Sequence, residues 1–168
     1  MPTPHAHPSA LTDDWRVWYT RHARALFLLA RHHLSDPHLA EDAVQQGFIH
    51  FWQSRRRAAD PAAYLFTCVR NAALALRRSA RTRRRHESAL PPPPLFLLPP
   101  DDPHESLHHA LAHLPPEQRE VLLLKIWSSL TFAQIAAALA IPLNTAASRY
   151  RYALDHLHTL LSPQVPHE

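Results

Sequence analysis

Seven prolines fall within ESALPPPPLFLLPPDDP, residues 87–103, and no regular helix or central strand can run through them. Each proline lacks a backbone N–H, and its ring collides with the preceding turn. The stretch divides the chain and predicts a semi-rigid linker, partly polyproline II. Its inner run, Leu95 to Leu98, is unusually apolar for a solvated tether. On either side the composition favours helix: the 168 residues hold one glycine, Gly47, and are rich in Ala, Leu and Arg. The expected fold is all-α, with no sheet. Two small helical domains, 12–86 and 104–162, flank the linker at 87–103, and the C-terminal one reads as a helix-turn-helix.

That reading rests on Pro115 to Leu161. The spacing predicts a helix from Glu117 to Ser128, then a short one opened by Thr131. The Thr131 hydroxyl can cap free N–H groups while Gln134 reaches back in a capping box. Phe132, Ile135, Ala136 and Leu139 give the short helix a buried stripe. Pro142 places the turn at Ala140 to Leu143, and Asn144 is the expected N-cap of the last helix. Leu143, Ala146, Tyr150, Leu154, Leu157 and Leu161 then form one apolar stripe. In a helix-turn-helix the start of the second helix enters the major groove. Asn144, Thr145, Ala147, Ser148, Arg149 and Arg151 are therefore the candidate base and phosphate contacts. A capped helical hairpin that touches no nucleic acid has the same pattern.

In the N-terminal part, residues 1–11 show no periodicity and read as a tail. Thr12, followed by Asp13 and Asp14, is the expected cap of a first helix ending near His33. That helix should bury Trp15, Val17 or Trp18, Leu26, Leu29 and Ala30. A second helix, Pro37 to Ser54, carries Leu39, Ala43, Val44, Phe48, Phe51 and Trp52 near one side and Glu41, Asp42, Gln45 and Gln46 on another. Asp60-Pro61 opens a third, with proline at its favoured first position. Its apolar run is Ala63, Tyr64, Phe66, Thr67, Val69, Ala73, Leu74 and Leu76. A fourth helix should span His104 to His113.

The formal net charge of +4 hides an asymmetry: residues 1–86 carry 14 arginines against six acids, whereas 87–168 carry four basic residues against eight acids. The basic half is the better polyanion partner. Arg55, Arg56, Arg57, Arg70, Arg77 and Arg78 offer a phosphate track, with Trp52, Tyr64 and Phe66 as candidate base-stacking platforms. Helically spaced aromatics are more often core. Asn71 can bond a base edge or local backbone. A lone cysteine, Cys68, permits no internal disulfide, and neither an apolar span nor a signal segment is evident. A cytoplasmic protein without membrane insertion is expected. The pairs His104/His108 and His109/His113 have helical metal-ligand spacing but no completing cysteines, so no metal is expected. Hydrolase and phosphate-loop motifs are absent, so neither catalytic residues nor a cofactor is expected.

The C-terminal stretch LPPEQREVLLLKIWSSLTFAQIAAALAIPLNTAASRYRYAL resembles the second conserved domain of bacterial sigma factors, especially the extracytoplasmic-function class. LAEDAVQQGFIHFW at Leu39 to Trp52 and AYLFTCVRNAALALRRSARTRRR at Ala63 to Arg85 are similar to the family's other conserved domain. The resemblance implies a dissociable RNA polymerase subunit without catalytic chemistry. It implies that Glu41, Asp42, Gln45, Gln46, Phe48 and Trp52 meet the polymerase clamp. The third helix and the segment before it, including Arg55, Arg56, Arg57, Tyr64, Arg70, Asn71, Arg77 and Arg78, would engage the minus-ten element. The last helix would read the minus-thirty-five element, while the linker threads toward the RNA exit path. Core polymerase and promoter DNA are the implied partners, an anti-sigma factor is a further one, and the free protein is expected to be a monomer.

The sequence departs from the family pattern at several positions. Gln46 replaces a frequent acid and is followed by Gly47, which costs about 1 kcal/mol within a helix. Ala75 replaces a frequent Asp, Ala140 the usual turn glycine, and Ala146-Ala147 the usual Val-Lys. Tyr152, Leu154, Asp155 and His156 occupy positions that are often basic. With few cations on its last helix, the chain should bind the minus-thirty-five element weakly outside the polymerase complex. A stand-alone helix-turn-helix regulator, or a sigma-like protein that titrates polymerase or an anti-sigma partner, are the alternative readings.

Overall fold

The computed structural model describes residues 15–84 and 105–162. Seven α-helices and one 3-10 turn follow in order: α1 Trp15–His33, α2 Pro37–Ser54, the 3-10 turn Arg55–Arg57, α3 Pro61–Arg84, α4 Glu105–His113, α5 Pro116–Trp127, α6 Phe132–Leu139 and α7 Leu143–Leu161. The described residues contain no strand, so the fold is all-α. The Thr12 cap, the N-terminal tail and the 87–103 linker lie outside them.

Local chemistry sets most helix starts. Asp36 accepts the His38 N–H at 2.9 Å with Pro37 next in the chain, and Asp60 accepts the Ala63 N–H at 3.0 Å ahead of Pro61. The Thr131 capping box forms in both directions: Gln134 N–H donates to Thr131 Oγ1 at 3.2 Å, and Thr131 N–H donates to Gln134 Oε1 at 2.9 Å. The start of α7 differs from expectation. The Pro142 carbonyl already accepts the Ala146 N–H at 3.1 Å, which makes Pro142 the cap position and puts Asn144 inside the first turn.

The turn before it depends on a left-handed residue. Ala140 adopts φ 54° and ψ 47°, and the Ile141 N–H reaches back to the Ala136 carbonyl at 3.0 Å. A Cβ in this region costs roughly 1–2 kcal/mol, which glycine avoids. Ala140→Gly is therefore expected to raise stability by about 1 kcal/mol, read as a higher urea midpoint at unchanged m-value. A lower midpoint would contradict the strain argument.

The two halves share one core. Leu26, Leu29, Phe51, Leu65, Phe66 and Val69 belong to the same buried cluster as Val121, Leu124, Ile135 and Leu139. A smaller cluster joins Ala110, Leu111 and Leu114 to Leu122, Ala153 and Leu157. α3 packs on α1, α2 and α6, which explains why Leu65 is buried along with the predicted face. Gly47 lies where α2 crosses α3, and a Cβ there would stand 2.5 Å from the Val69 Cα.

The structure decides three questions of burial. Trp15 is exposed, against expectation; of the alternatives Val17 and Trp18, Trp18 is the one that turns inward, its ring centroid 5.2 Å from that of Phe51. Phe66 is fully buried, so it is core and no stacking platform. On α7, Leu143, Leu154 and Leu161 are exposed while Ala146, Ala153 and Leu157 are buried. With Tyr150 half-buried between them, the inner stripe runs 146, 150, 153, 157. It is rotated about the axis because α4, α5 and α6 all pack on that side.

Candidate nucleic-acid interface

The turn between α6 and α7 presents the start of α7 to solvent. Asn144 and Arg151 are exposed, and Thr145, Ala147, Ser148 and Arg149 are half-buried. Ser148 Oγ donates to the Thr145 carbonyl at 3.1 Å, so its proton is used locally and its lone pairs remain available to a donor. The Arg151 guanidinium lies 5.2 Å from the Tyr152 ring centroid. This is a small face with two cations, Arg149 and Arg151, and its polarity is mostly uncharged.

The six candidate arginines of the N-terminal half divide into three groups. Arg55 caps the end of α2: it donates to the Trp52 carbonyl, and its guanidinium sits 3.4 Å from the Trp52 ring centroid. That ring also stacks on Phe48 at an interplanar angle of 10°, so Phe48 and Trp52 form a half-buried wall. Arg56 and Arg57 are exposed in the 3-10 turn, and Asn71, Arg77 and Arg78 are exposed along α3. Tyr64 is half-buried, with its hydroxyl 3.3 Å from His50 Nε2. Arg70 departs from the expected phosphate track, because its Nε donates to Glu120 Oε1 of the other half at 2.7 Å.

On α2 the polar residues share one side. Glu41, Asp42, Gln45 and Gln46 are all exposed, while Ala40, Ala43, Val44, Gly47 and Phe51 face the core. Spacings of one, four and five residues draw these four side chains into a solvated ridge.

Residue spacing predicts no polar cluster between the halves, yet one is present. Glu120 is buried and accepts from both His33 Nε2 and Arg70 Nε at 2.7 Å. Burial alone would raise its pKa, but these two hydrogen bonds overcome it and hold the carboxyl at about 2. Arg119 Nε donates to His32 Nδ1 at 3.2 Å; burial first, then the neighbouring His33, Arg119 and Arg77 charges, lowers the His32 pKa to about 3. His32, His33 and Glu120 place one nitrogen or oxygen each within 4.8 Å of one another. The pairs a metal would need are already used by Arg119 and Arg70, whose charges also oppose a dication. Among the other expected pairs, His113 Nδ1 lies 2.7 Å from the His109 carbonyl, and His104 and the His108 side chain fall outside what the structure describes. Glu120 opens a run of five consecutive buried positions on α5, ending at Leu124, which leaves the acid no solvated face.

Residues 18–83 match the family model described as Sigma-70 region 2, and residues 104–157 match Sigma-70, region 4. The chain is also 33% identical to the ECF RNA polymerase sigma factor SigL of Mycobacterium tuberculosis, strain H37Rv, over 87% of this chain and 88% of the relative. The chain belongs to the extracytoplasmic-function sigma factors. Its relatives in strains CDC 1551 and Erdman match equally. Among solved structures, the sigma factor RpoE in complex with the anti-sigma factor NepR, from Bartonella quintana, is similar at TM-score 0.72 and 23% identity, covering 91% of this chain and 99% of that one. CnrH in complex with the cytosolic domain of CnrY is similar at TM-score 0.59 and 23% identity, covering 88% and 86%. Both likenesses bear on fold.

As a sigma factor, the protein binds core RNA polymerase and directs promoter-specific initiation of transcription. Sigma factors are not enzymes. The reading as a stand-alone regulator gives way to this one. No described helix is long and apolar enough to cross a membrane.

Proposed function

We propose a division of labour for this sigma factor between residues 12–86 and 104–162, joined by the linker at 87–103. The α2 ridge Glu41, Asp42, Gln45 and Gln46, with Phe48 and Trp52 at its edge, binds the polymerase clamp. Arg55, Arg56, Arg57, Tyr64, Asn71, Arg77 and Arg78 engage the minus-ten element, joined by Arg70 only when it is released from Glu120, and Asn144, Thr145, Ala147, Ser148, Arg149 and Arg151 contact the minus-thirty-five element. The observation carrying this reading is the separation of chemistries in the N-terminal half: an acid and amide ridge on α2, and exposed Arg77 and Arg78 on α3. The first suits a basic protein surface and the second suits phosphates.

The test is transcription by core polymerase reconstituted with the full chain. Replacing Arg77 and Arg78 together with Ala should lower promoter opening several-fold and leave retention on immobilised core polymerase within about twofold. Loss of core binding in that variant would overturn the assignment. We also propose an anti-sigma partner, supported by the two similar structures, each of which is a complex with a second protein, in one case the anti-sigma factor NepR. A protein that co-purifies with the tagged chain from its host should abolish reconstituted transcription when added back; continued transcription would contradict that proposal.

A further inference from the structure

Five side chains from three helices meet where the halves join: His32 and His33 of α1, Arg70 of α3, and Arg119 and Glu120 of α5. Glu120 satisfies two donors at once, His33 Nε2 and Arg70 Nε, at 2.7 Å each. His32 is different, because its Nδ1 faces Arg119 Nε at 3.2 Å. A guanidinium keeps its protons, so Nδ1 must be the acceptor and the ring must be neutral. A second proton would set N–H against N–H and place two positive charges side by side. Arg119 is held there from behind, since its Nη1 also donates to the Ala112 carbonyl of α4 at 3.2 Å.

We infer that the contact between the halves is a proton-sensitive latch, closed while His32 is neutral and opened when His32 takes up a proton. The charged and titratable groups around His32 are His33 on α1, Arg119 and Glu120 on α5, and Arg77 on α3. The single negative charge among them, Glu120, already serves two donors. His33 Nε2 makes one of those two contacts, at 2.7 Å. Elsewhere along the seam, Gln134 Nε2 donates to Asp60 Oδ2 at 2.9 Å, and Thr67 Oγ1 points at the Ala138 carbonyl at 3.5 Å. The donors in these two contacts, an amide and a hydroxyl, do not titrate near neutrality.

In the closed form burial, and then the His33, Arg119 and Arg77 charges, lower the His32 pKa from 6.5 to about 3. Its contribution to docking is therefore present above pH 6.5 and is lost progressively as the pH falls toward 3. Between pH 7.5 and 5.5 the docking constant should fall about tenfold. In the closed form Arg70 is held on Glu120, and α6 covers part of α3. That the open form is the promoter-competent one rests on the role proposed above for α3; the latch itself does not.

Thiol reactivity of the full chain tests it. Ala138 is buried within the shared core. A thiol introduced by Ala138→Cys, in a Cys68→Ala background, should react with a pyridyl disulfide reagent only when the halves part. Rates are divided by those of the denatured chain at the same pH. Native Cys68, buried one turn from Tyr64, gives the reference for unfolding within the N-terminal half. We expect the introduced thiol to react about tenfold faster at pH 5.5 than at pH 7.5, with Cys68 changing less than about twofold. His32→Gln, which can still accept from Arg119 but cannot titrate, should abolish the rise. If that variant is already open at pH 7.5, Arg119→Gln decides the matter, because an amide oxygen can accept from a protonated ring and should shrink the rise. Equal reactivity of the introduced thiol at the two pH values would overturn the latch, as would a full tenfold rise in either variant. A failure of reconstituted transcription would bear on the role of α3 and leave this measurement untouched.

Discussion

Gly47→Ala should destabilise this sigma factor by about 1–3 kcal/mol, although alanine is the better helix former by about 1 kcal/mol. The new Cβ would lie 2.5 Å from the Val69 Cα, 2.7 Å from its N and 2.7 Å from its Cγ2. Two of these three obstacles are backbone, so no rotamer change relieves them and α2 must move away from α3. Phe51 and Val69 are fully buried at that crossing and Val44 nearly so, and a gap of even 0.5–1 Å forfeits a quarter to a half of each contact's attraction. The loss from separated packing then exceeds the gain in propensity. Urea denaturation of both proteins gives the difference directly, and Gly47→Leu should fail to give a cooperative transition. Val69→Ala should not rescue Gly47→Ala, since it removes Cγ2 and leaves the backbone obstacles. An alanine variant as stable as the parent would show that the helices can separate without cost.

Gly47 also illustrates where sequence reasoning stopped. Within the segment it is a residue that weakens a helix, and its benefit lies on Val69, in another helix. Features written in neighbouring residues were legible: the Asp36-Pro37 start of α2, the Thr131 and Gln134 capping box, and the break at Pro142 each involve groups a few positions apart. On α7, Ala146, Tyr150 and Leu157 were read correctly but Leu154 was taken for Ala153, because the two satisfy similar periodicities. Only the placement of α4, α5 and α6 decides which is covered.

The site was legible to the extent that it is local. The α2 ridge and the exposed Arg77 and Arg78 follow from helical spacing. Arg70 sits in the same arginine-rich run and has the same local signature, yet it turns toward an acid 50 positions away. Charge patterning along one helix cannot distinguish an arginine facing solvent from one that faces a second domain. His33 is likewise 87 positions from its partner. The contacts that join the halves are the least visible in sequence, because they depend on how finished helices dock.

Glu120→Ala should cost about 3 kcal/mol, near the lower end of what removing one partner of a buried ion pair costs. The His33 and Glu120 side chains are 6% and 7% exposed, whereas that of Arg70 is 25% exposed and can turn partly to water. His33 would then bear most of the loss, as a buried ring nitrogen without its acceptor. Acid dependence supplies an independent signature. The Glu120 pKa is lowered from 4.5 to about 2 in the folded protein, so its contribution is fully present above pH 4.5 and disappears as the pH falls toward 2. Over that window the parent should lose on the order of 3 kcal/mol that the alanine variant has already lost, and the two curves should converge. Glu120→Gln keeps one acceptor oxygen without the charge, so its stability at neutral pH should lie between those of the parent and Glu120→Ala. Parallel acid profiles for parent and alanine variant would mean that the carboxylate is solvated rather than shared between His33 and Arg70.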